Sequence, residues 1–582
     1  MRRQQTATNP KPSNTSTKDR VAALTDLEHR MQTIAEEVVK RLGSLGSGIV
    51  QEFEKQQQTG PGSIIGIRPT MEPLQTHPPP HALATDGVGA PVHIGAESLA
   101  SILIDTLKST NPIASSPPSR AEIELSGHSA YETMQLLCMV DKGSTHPFTS
   151  LWKPGATVED ICLALPDNET FEQCLDTFLA SVNLISPSIP LHEFVVDARV
   201  FWSERSNGQR GESELRSTSW LALLFCVLAS GCSYSSLQGK DNDLSSRVFV
   251  CCAFELLRLD NYLLQPTIDN VRVLAALAAN LRVQDNPAAS WSLLGMAIRA
   301  AQSIGLHCVP PPNENTDAID RQSWDLWQGL VWQDTTLSMC YDRPPVAFID
   351  GSVKRLPRHS PEGYPYLQSC YGLVMIMNDI YHEWTHARRA GLRTLPVIRF
   401  QVAAEQILLW EASAEEYLQK RICCKDDSQR LLHDVFQIFV NFFIFQLHRH
   451  HLAVPLFANQ LQSTNNSPAS IWGNQESNEV QNLMCMDRCE YILHRFMSIR
   501  RSNPQASRLW ILMHISLGCT MYLASHLEKH TAGQREAESP DQSKITARHQ
   551  LLRDVAEDLQ QDPPSAMHPH HVDFLNALKN IT

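Results

Sequence analysis

The pattern in this sequence that could most directly perform chemistry is the segment from His382 to His386, which reads H-E-W-T-H and fits H-E-x-x-H. On a helix, two histidines four residues apart share a face and can bind zinc, with Glu383 as a general base. A third ligand is needed, and the downstream candidates Glu405 and Glu411 lack the neighbouring residues that zinc proteases carry there. In a chain with 23 histidines the pattern also arises by chance. We favour a polar helix face and keep a zinc metalloprotease as the alternative from the enzyme class.

Two further groups contain metal-binding residue types: His448, His450 and His451, and then Cys485, Cys489 and His494. Consecutive histidines on a helix point in different directions, and two cysteines four residues apart are commonly buried thiols. The sequence contains no C-x-x-C, no glycine-rich phosphate loop and no G-x-S-x-G. It therefore predicts no catalytic, cofactor-binding or metal-binding residues, and we expect a protein that is not an enzyme.

Composition narrows the class of partner. The net charge is -13, from 49 basic and 62 acidic residues, whereas a surface that grips phosphates usually has a basic excess. The 15 scattered cysteines indicate a reducing compartment. The longest apolar runs, Trp220 to Ala229 and Val435 to Leu447, are too short to cross a bilayer, and no apolar segment follows the N-terminus. We expect an intracellular protein without a membrane segment, whose main body does not contact DNA.

The elements that hold these residues are predicted to be helices. From about Ala96 onward apolar residues recur at helical spacing, which indicates an all-α fold, a large helical array. One helix has readable ends, with Asn286 as its cap, Pro287 in the first position and Gly305 after the last turn. Its apolar arc is wide enough to pack against several neighbours. A similar helix should follow a cap at Thr267.

The chain before this array has a different composition. Residues 1–20 are polar and locally basic, which is typical of a disordered tail, and residues 21–42 have a short coiled-coil-like stripe. A solitary surface helix and a dimerising coiled coil both fit that stripe. Residues 43–95 are rich in Gly, Gln and Pro and are predicted to be a disordered linker, which leaves 96–582 as the helical body. Within the body, residues 463–478 and 529–544 are polar enough to be surface loops.

Residues 290–307 read SWSLLGMAIRAAQSIGLH, and the block after them has an Asp eight residues before a Gly, Arg, Pro-like triplet. The first block resembles the signature helix of the fungal-specific transcription factor domain, the middle homology region of zinc-cluster transcription regulators. The matching positions are Trp291, Gly295, Ala297, Arg299, Ala301, Gly305, Leu306 and His307. In the second block Asp334, Arg343 and Pro344 match, while Asp342 replaces the family's glycine. Weaker blocks extend the resemblance to about residues 160–460.

This resemblance implies a nuclear regulator of a metabolic or secondary-metabolite gene set. It also implies a homodimer or heterodimer, other transcription machinery as partners, and a small-molecule effector of the helical domain. The family's DNA-binding head needs six cysteines for two zinc ions, yet no cysteine precedes Cys138. DNA contact would then require a zinc cluster that is missing from this chain or supplied by a partner. A truncated gene model and a truly headless interaction protein that modulates another regulator both remain open.

Two charged residues stand in otherwise apolar helices. Arg299 and Asp334 are expected to be buried and to have partners, because a charge at a central position of an apolar helix is rarely buried unpaired. An internal salt bridge or hydrogen bonds to loop carbonyls is the favoured interpretation, and the wall of an effector pocket is the other. The aromatic residues of the same region are expected to belong to the core: Trp324, Trp327, Trp332 and Tyr341.

Overall fold

The structure is a computed structural model. It describes residues 84–85, 91–92, 98–100, 137, 146–185, 191–206, 216–235, 240–284, 286–312, 315–348, 364–389, 395–461, 469–533 and 542–560. All of these belong to one compact unit that spans 77–582. The predicted tail (1–20) and coiled-coil-like helix (21–42) lie outside the described residues and stay predictions. Within the predicted linker, the structure describes two short antiparallel strands, Ala84–Thr85 and Pro91–Val92.

The body is a helical array, which confirms the predicted all-α fold. The helix Asn168–Thr177 continues through a π-helical turn at Phe178–Val182 into Asn183–Ile185. The helices in chain order are α1 Val158–Cys162, α2 Asn168–Thr177, α3 Leu191–Ser206, α4 Thr218–Tyr234, α5 Lys240–Leu259, α6 Ile268–Val283, α7 Pro287–Ser303, α8 Ala318–Tyr341, α9 Tyr366–Arg389, α10 Val397–Ala412, α11 Glu416–Gln419, α12 Asp427–Leu461, α13 Ala469–Ser502, α14 Pro504–Ser507, α15 Trp510–Gly533 and α16 Gln542–Gln560. Since α13 begins at Ala469, the predicted surface loop at 463–478 is wrong for its second half.

The ends of α6 and α7 follow local rules. Thr267 caps α6 in a reciprocal capping box with Asn270, as its sequence position indicates. Pro287 occupies the first turn of α7, and Gly305 ends it with φ 82°, a left-handed conformation that glycine adopts without strain. Asn286 is at the cap position, but its side chain donates to the carbonyl of Gln284 instead of capping the helix.

Helix α4 lies at the centre of the first half and is buried along almost its whole length. It packs on α5, α6 and α2, and its approach to α2 is close at Gly231. A methyl group built on Gly231 would lie 2.1 Å from the carbonyl oxygen of Cys174, which is backbone and cannot rotate away. Only a residue without a side chain allows this packing distance.

In the second half, α12 packs along α13 and also contacts α9, α10 and α15. Its segment Asp427–Arg449 is long and apolar enough to cross a membrane by length and composition, so the predicted run of 435–447 was too short. In the structure, 89% of that segment's apolar window is buried against other helices. This is the environment of a core helix.

Candidate functional site

Helices α7 and α8 meet at the residues of the two signature blocks. The indole Nε1 of Trp291 donates to Oγ of Ser338 over 3.3 Å. The guanidinium of Arg343 lies 4.8 Å from the ring centre of Trp291 and 4.2 Å from that of Tyr341. A cation placed over two aromatic faces is attracted by both ring quadrupoles. The signature residues therefore fasten the end of α8 to the first turns of α7.

Asp342 explains how this chain tolerates its departure from the family's glycine. Its backbone is in the left-handed region, with φ 50° and ψ 48°, and it ends α8. Glycine is the usual residue in that conformation, but aspartate is among the few others that adopt it readily. The substitution therefore preserves the turn that presents Arg343.

Asp334 is buried, with 2% of its surface exposed, and it holds the chain that follows α8. Its Oδ2 accepts hydrogen bonds from the backbone N–H of Val346 over 2.6 Å and of Ala347 over 2.7 Å. Burial raises the pKa of this carboxyl to about 6, although these N–H donors and the Ser338 hydroxyl act in the opposite direction. The predicted structural role is present, but the partners are loop amides instead of carbonyls or an arginine.

Arg299 corrects an expectation. Its side chain is exposed and donates to Oε1 of Gln302, 3.0 Å away, one turn further along α7. It forms neither an internal salt bridge nor a pocket wall. The buried arc of α7 consists of Leu293, Leu294, Ala297, Ile298 and Ala301 and is narrower than predicted, so this position faces outward. The predicted aromatic core is largely confirmed, with Trp324, Trp327 and Tyr341 buried and Trp332 half-buried.

The H-E-x-x-H segment lies on α9 and its side chains point to different partners. Nε2 of His382 lies 3.2 Å from the carbonyl oxygen of Ala347, in the segment that Asp334 holds. Glu383 forms a two-pronged ion pair with Arg399 of α10, and His386 is exposed. These contacts are those of an interhelical polar face, as the sequence indicated.

The other metal-binding residue types also lie apart. Cys485 and Cys489 are buried, with Cys519 of α15 beside Cys489, while His494 is exposed. His448 is half-buried, and the side chains of His450 and His451 lie outside the described residues. Across the described part of the chain, no three His, Cys, Asp or Glu side chains are grouped as a metal site requires.

One site was missed from the sequence, a cavity of about 110 Å³ between α2, α4, α6, α8, α12 and the start of α15. Its apolar walls include Trp332, Phe439 and Trp510, and its polar groups include Arg282, Tyr234 and Gln333. Arg282 is in the last turn of α6, where a basic residue is so common that it carries no signal. Only the packing of distant helices reveals that it lines an interior space.

The guanidinium of Arg282 has neutral hydrogen-bond partners. It donates to Oγ of Ser290 over 3.1 Å and to Oε1 of Gln333 over 2.8 Å. Burial lowers its pKa to about 10, which still leaves it protonated near neutral pH. Tyr234 is also buried and lines the same cavity.

Comparison with known proteins agrees with these signature contacts. No curated protein matches the chain. Residues 194–362 match the model of a family described as the fungal specific transcription factor domain. The match extends from α3 through α8 to beyond Ala347, so it includes both signature blocks, the Asp334 contacts and Arg282. Residues 194–362, which contain the signature contacts, are therefore similar to the fungal specific transcription factor domain.

Proposed function

We propose that this protein is a nuclear regulator of transcription whose helical body controls a metabolic or secondary-metabolite gene set. The observation that carries the proposal is the family match at 194–362, which contains the signature contacts of α7 and α8. The net charge of -13 favours a body that works through protein contacts, with DNA bound by a separate zinc cluster or by a partner.

The mechanism we propose is coupling through the interior cavity. Its walls come both from the family domain (α4, α6 and α8) and from helices beyond it (α12 and α15). A ligand that fills this space contacts both parts at once and favours the arrangement in which the contacts are best. Such a shift would change the surface offered to transcription machinery or to a second copy of the chain.

A reporter assay tests this function. The full 582-residue chain is fused to an unrelated DNA-binding domain in a fungal cell that carries the matching reporter gene. We expect reporter transcription to rise or fall at least several-fold relative to the DNA-binding domain alone. The matched control carries Gly231→Leu, which should disrupt the packing of α4 on α2. An unchanged reporter, with the fusion present in the nucleus at normal abundance, would contradict the proposal.

The acidic charge also favours a second candidate, an interaction protein that modulates another regulator without touching DNA. Under either candidate, the purified chain should not bind random duplex DNA at physiological salt. A submicromolar affinity in a gel-shift assay would contradict this expectation. Capture of a zinc-cluster regulator by the tagged chain, lost when that partner gene is deleted, would favour the second candidate.

A further inference from the structure

Arg282, which is half-buried, stands out among the residues that line the cavity because its charge is not balanced by an acid. Among the described residues no carboxylate pairs with it, and its hydrogen bonds go to a serine hydroxyl and a glutamine amide. Desolvating a cation is costly, and neutral partners repay only part of that cost. An anion in the cavity would supply the missing compensation.

The cavity itself indicates what kind of anion fits. Its volume of about 110 Å³ is somewhat below the roughly 150 Å³ that accommodates a benzene ring. Much of the remaining wall is aromatic and aliphatic, with Trp332, Phe439, Trp510 and Ile511 among its residues. Binding sites for small molecules typically combine such apolar walls with a few polar groups that fix orientation. Inorganic anions would leave these apolar walls without contacts.

The Tyr234 hydroxyl is a second polar group for the same ligand. The described residues give it no hydrogen-bond partner, although the side chain is buried and lines the cavity. A carboxylate has two oxygens and can accept from a guanidinium and a phenol at the same time.

We propose that the cavity binds a small monocarboxylic acid with a compact branched aliphatic body, whose carboxylate pairs with Arg282. This inference rests on the proposed function, because the acid would be the effector that couples the family domain to α12 and α15. Ala276 and Ala279 leave room for the body of the ligand on the α6 side.

The test measures binding to the full chain by calorimetry and by the shift of its unfolding temperature. The probes are butyrate, isobutyrate, isovalerate and pivalate, each paired with its neutral amide, together with sodium chloride. We expect at least one acid to bind at least ten-fold more tightly than its amide, and chloride to give no comparable shift. Absence of binding by all four acids would overturn the proposal, as would equal binding of acid and amide.

Two variants locate the site. Arg282→Gln should weaken the acid at least ten-fold, and Ala279→Met, which keeps the charge but fills the cavity, should weaken it as well. Circular dichroism without ligand checks that both variants fold. Acid binding that survives both substitutions would place the site elsewhere and overturn the proposal. The reporter assay needs no added acid, so an active fusion that binds none of the probes would remove this inference alone.

Discussion

The contacts of Asp334 lead to a prediction that distinguishes two contributions to stability, the hydrogen-bond acceptor and the negative charge of its side chain. Replacement by alanine removes the acceptor of two backbone N–H groups, the buried one of Ala347 and the part-buried one of Val346. Each unsatisfied buried donor costs about 1–3 kcal/mol, so Asp334→Ala should lose about 2–6 kcal/mol of unfolding free energy. Asp334→Asn keeps a carbonyl oxygen at the same place and also avoids burying a negative charge. At about pH 4, where the wild-type carboxyl is protonated, its unfolding free energy should lie within about 1 kcal/mol of the wild type, and at neutral pH it should be the more stable of the two.

The raised pKa of Asp334 also predicts the direction in which the stability of the protein changes with pH. The folded pKa of Asp334 is raised to about 6 from the ordinary 3.8, so the folded state holds the proton over this interval while the unfolded state releases it. The contribution of the protonated Asp334 to the free energy of unfolding is therefore fully present below about pH 4 and is lost as the pH rises through 6. The difference corresponds to on the order of 3 kcal/mol. Asp334→Asn, which cannot ionise, should remove this part of the slope.

Urea unfolding followed by far-ultraviolet circular dichroism, at about pH 4 and about pH 7, measures all three proteins. The wild type should lose more stability than Asp334→Asn between the two pH values, and Asp334→Ala should be the least stable at both. The reasoning would be refuted if Asn were as damaging as Ala at neutral pH, because the charge itself would then hold the segment after α8. Parallel pH profiles for wild type and Asn would refute the assigned pKa.

Three further predictions concern packing and chemistry. Gly231→Ala should destabilise the protein by about 1–3 kcal/mol or more, because the added methyl group would clash with the backbone of Cys174. Gly295→Ala on α7, which has open space around it, should instead stabilise the protein by up to about 1 kcal/mol. Equal urea midpoints for the two variants would contradict the close approach at Gly231. Arg343→Ala should lower the free energy of unfolding by about 1–2 kcal/mol, because the contacts with the two rings are lost. If Arg343→Lys were as unstable as Arg343→Ala, the positive charge alone would contribute nothing. His386→Ala should leave the zinc content of the purified chain unchanged, and one equivalent of zinc lost with this substitution would revive the metalloprotease alternative.

Local patterns were enough to predict much of the helical array. Capping at Thr267, proline at 287 and glycine at 305 set helix ends through the conformations of a few neighbouring residues. The spacing of apolar residues likewise indicated the buried faces of α6 and α7. These features depend on contacts within about one helical turn, which is the range over which a linear sequence specifies geometry.

The candidate site could not be predicted in this way. Arg299 and Arg282 both follow apolar residues at helical spacing, yet one is exposed on α7 and the other lines the cavity. Which of them is enclosed depends on α12 and α15, whose contributing residues Phe439 and Trp510 lie more than a hundred positions further along the chain. Asp334 was recognised as structural, but its partners in the segment after α8 were not. The periodicity of a helix says which residues share a face, whereas the neighbour of that face is decided by how all the helices pack.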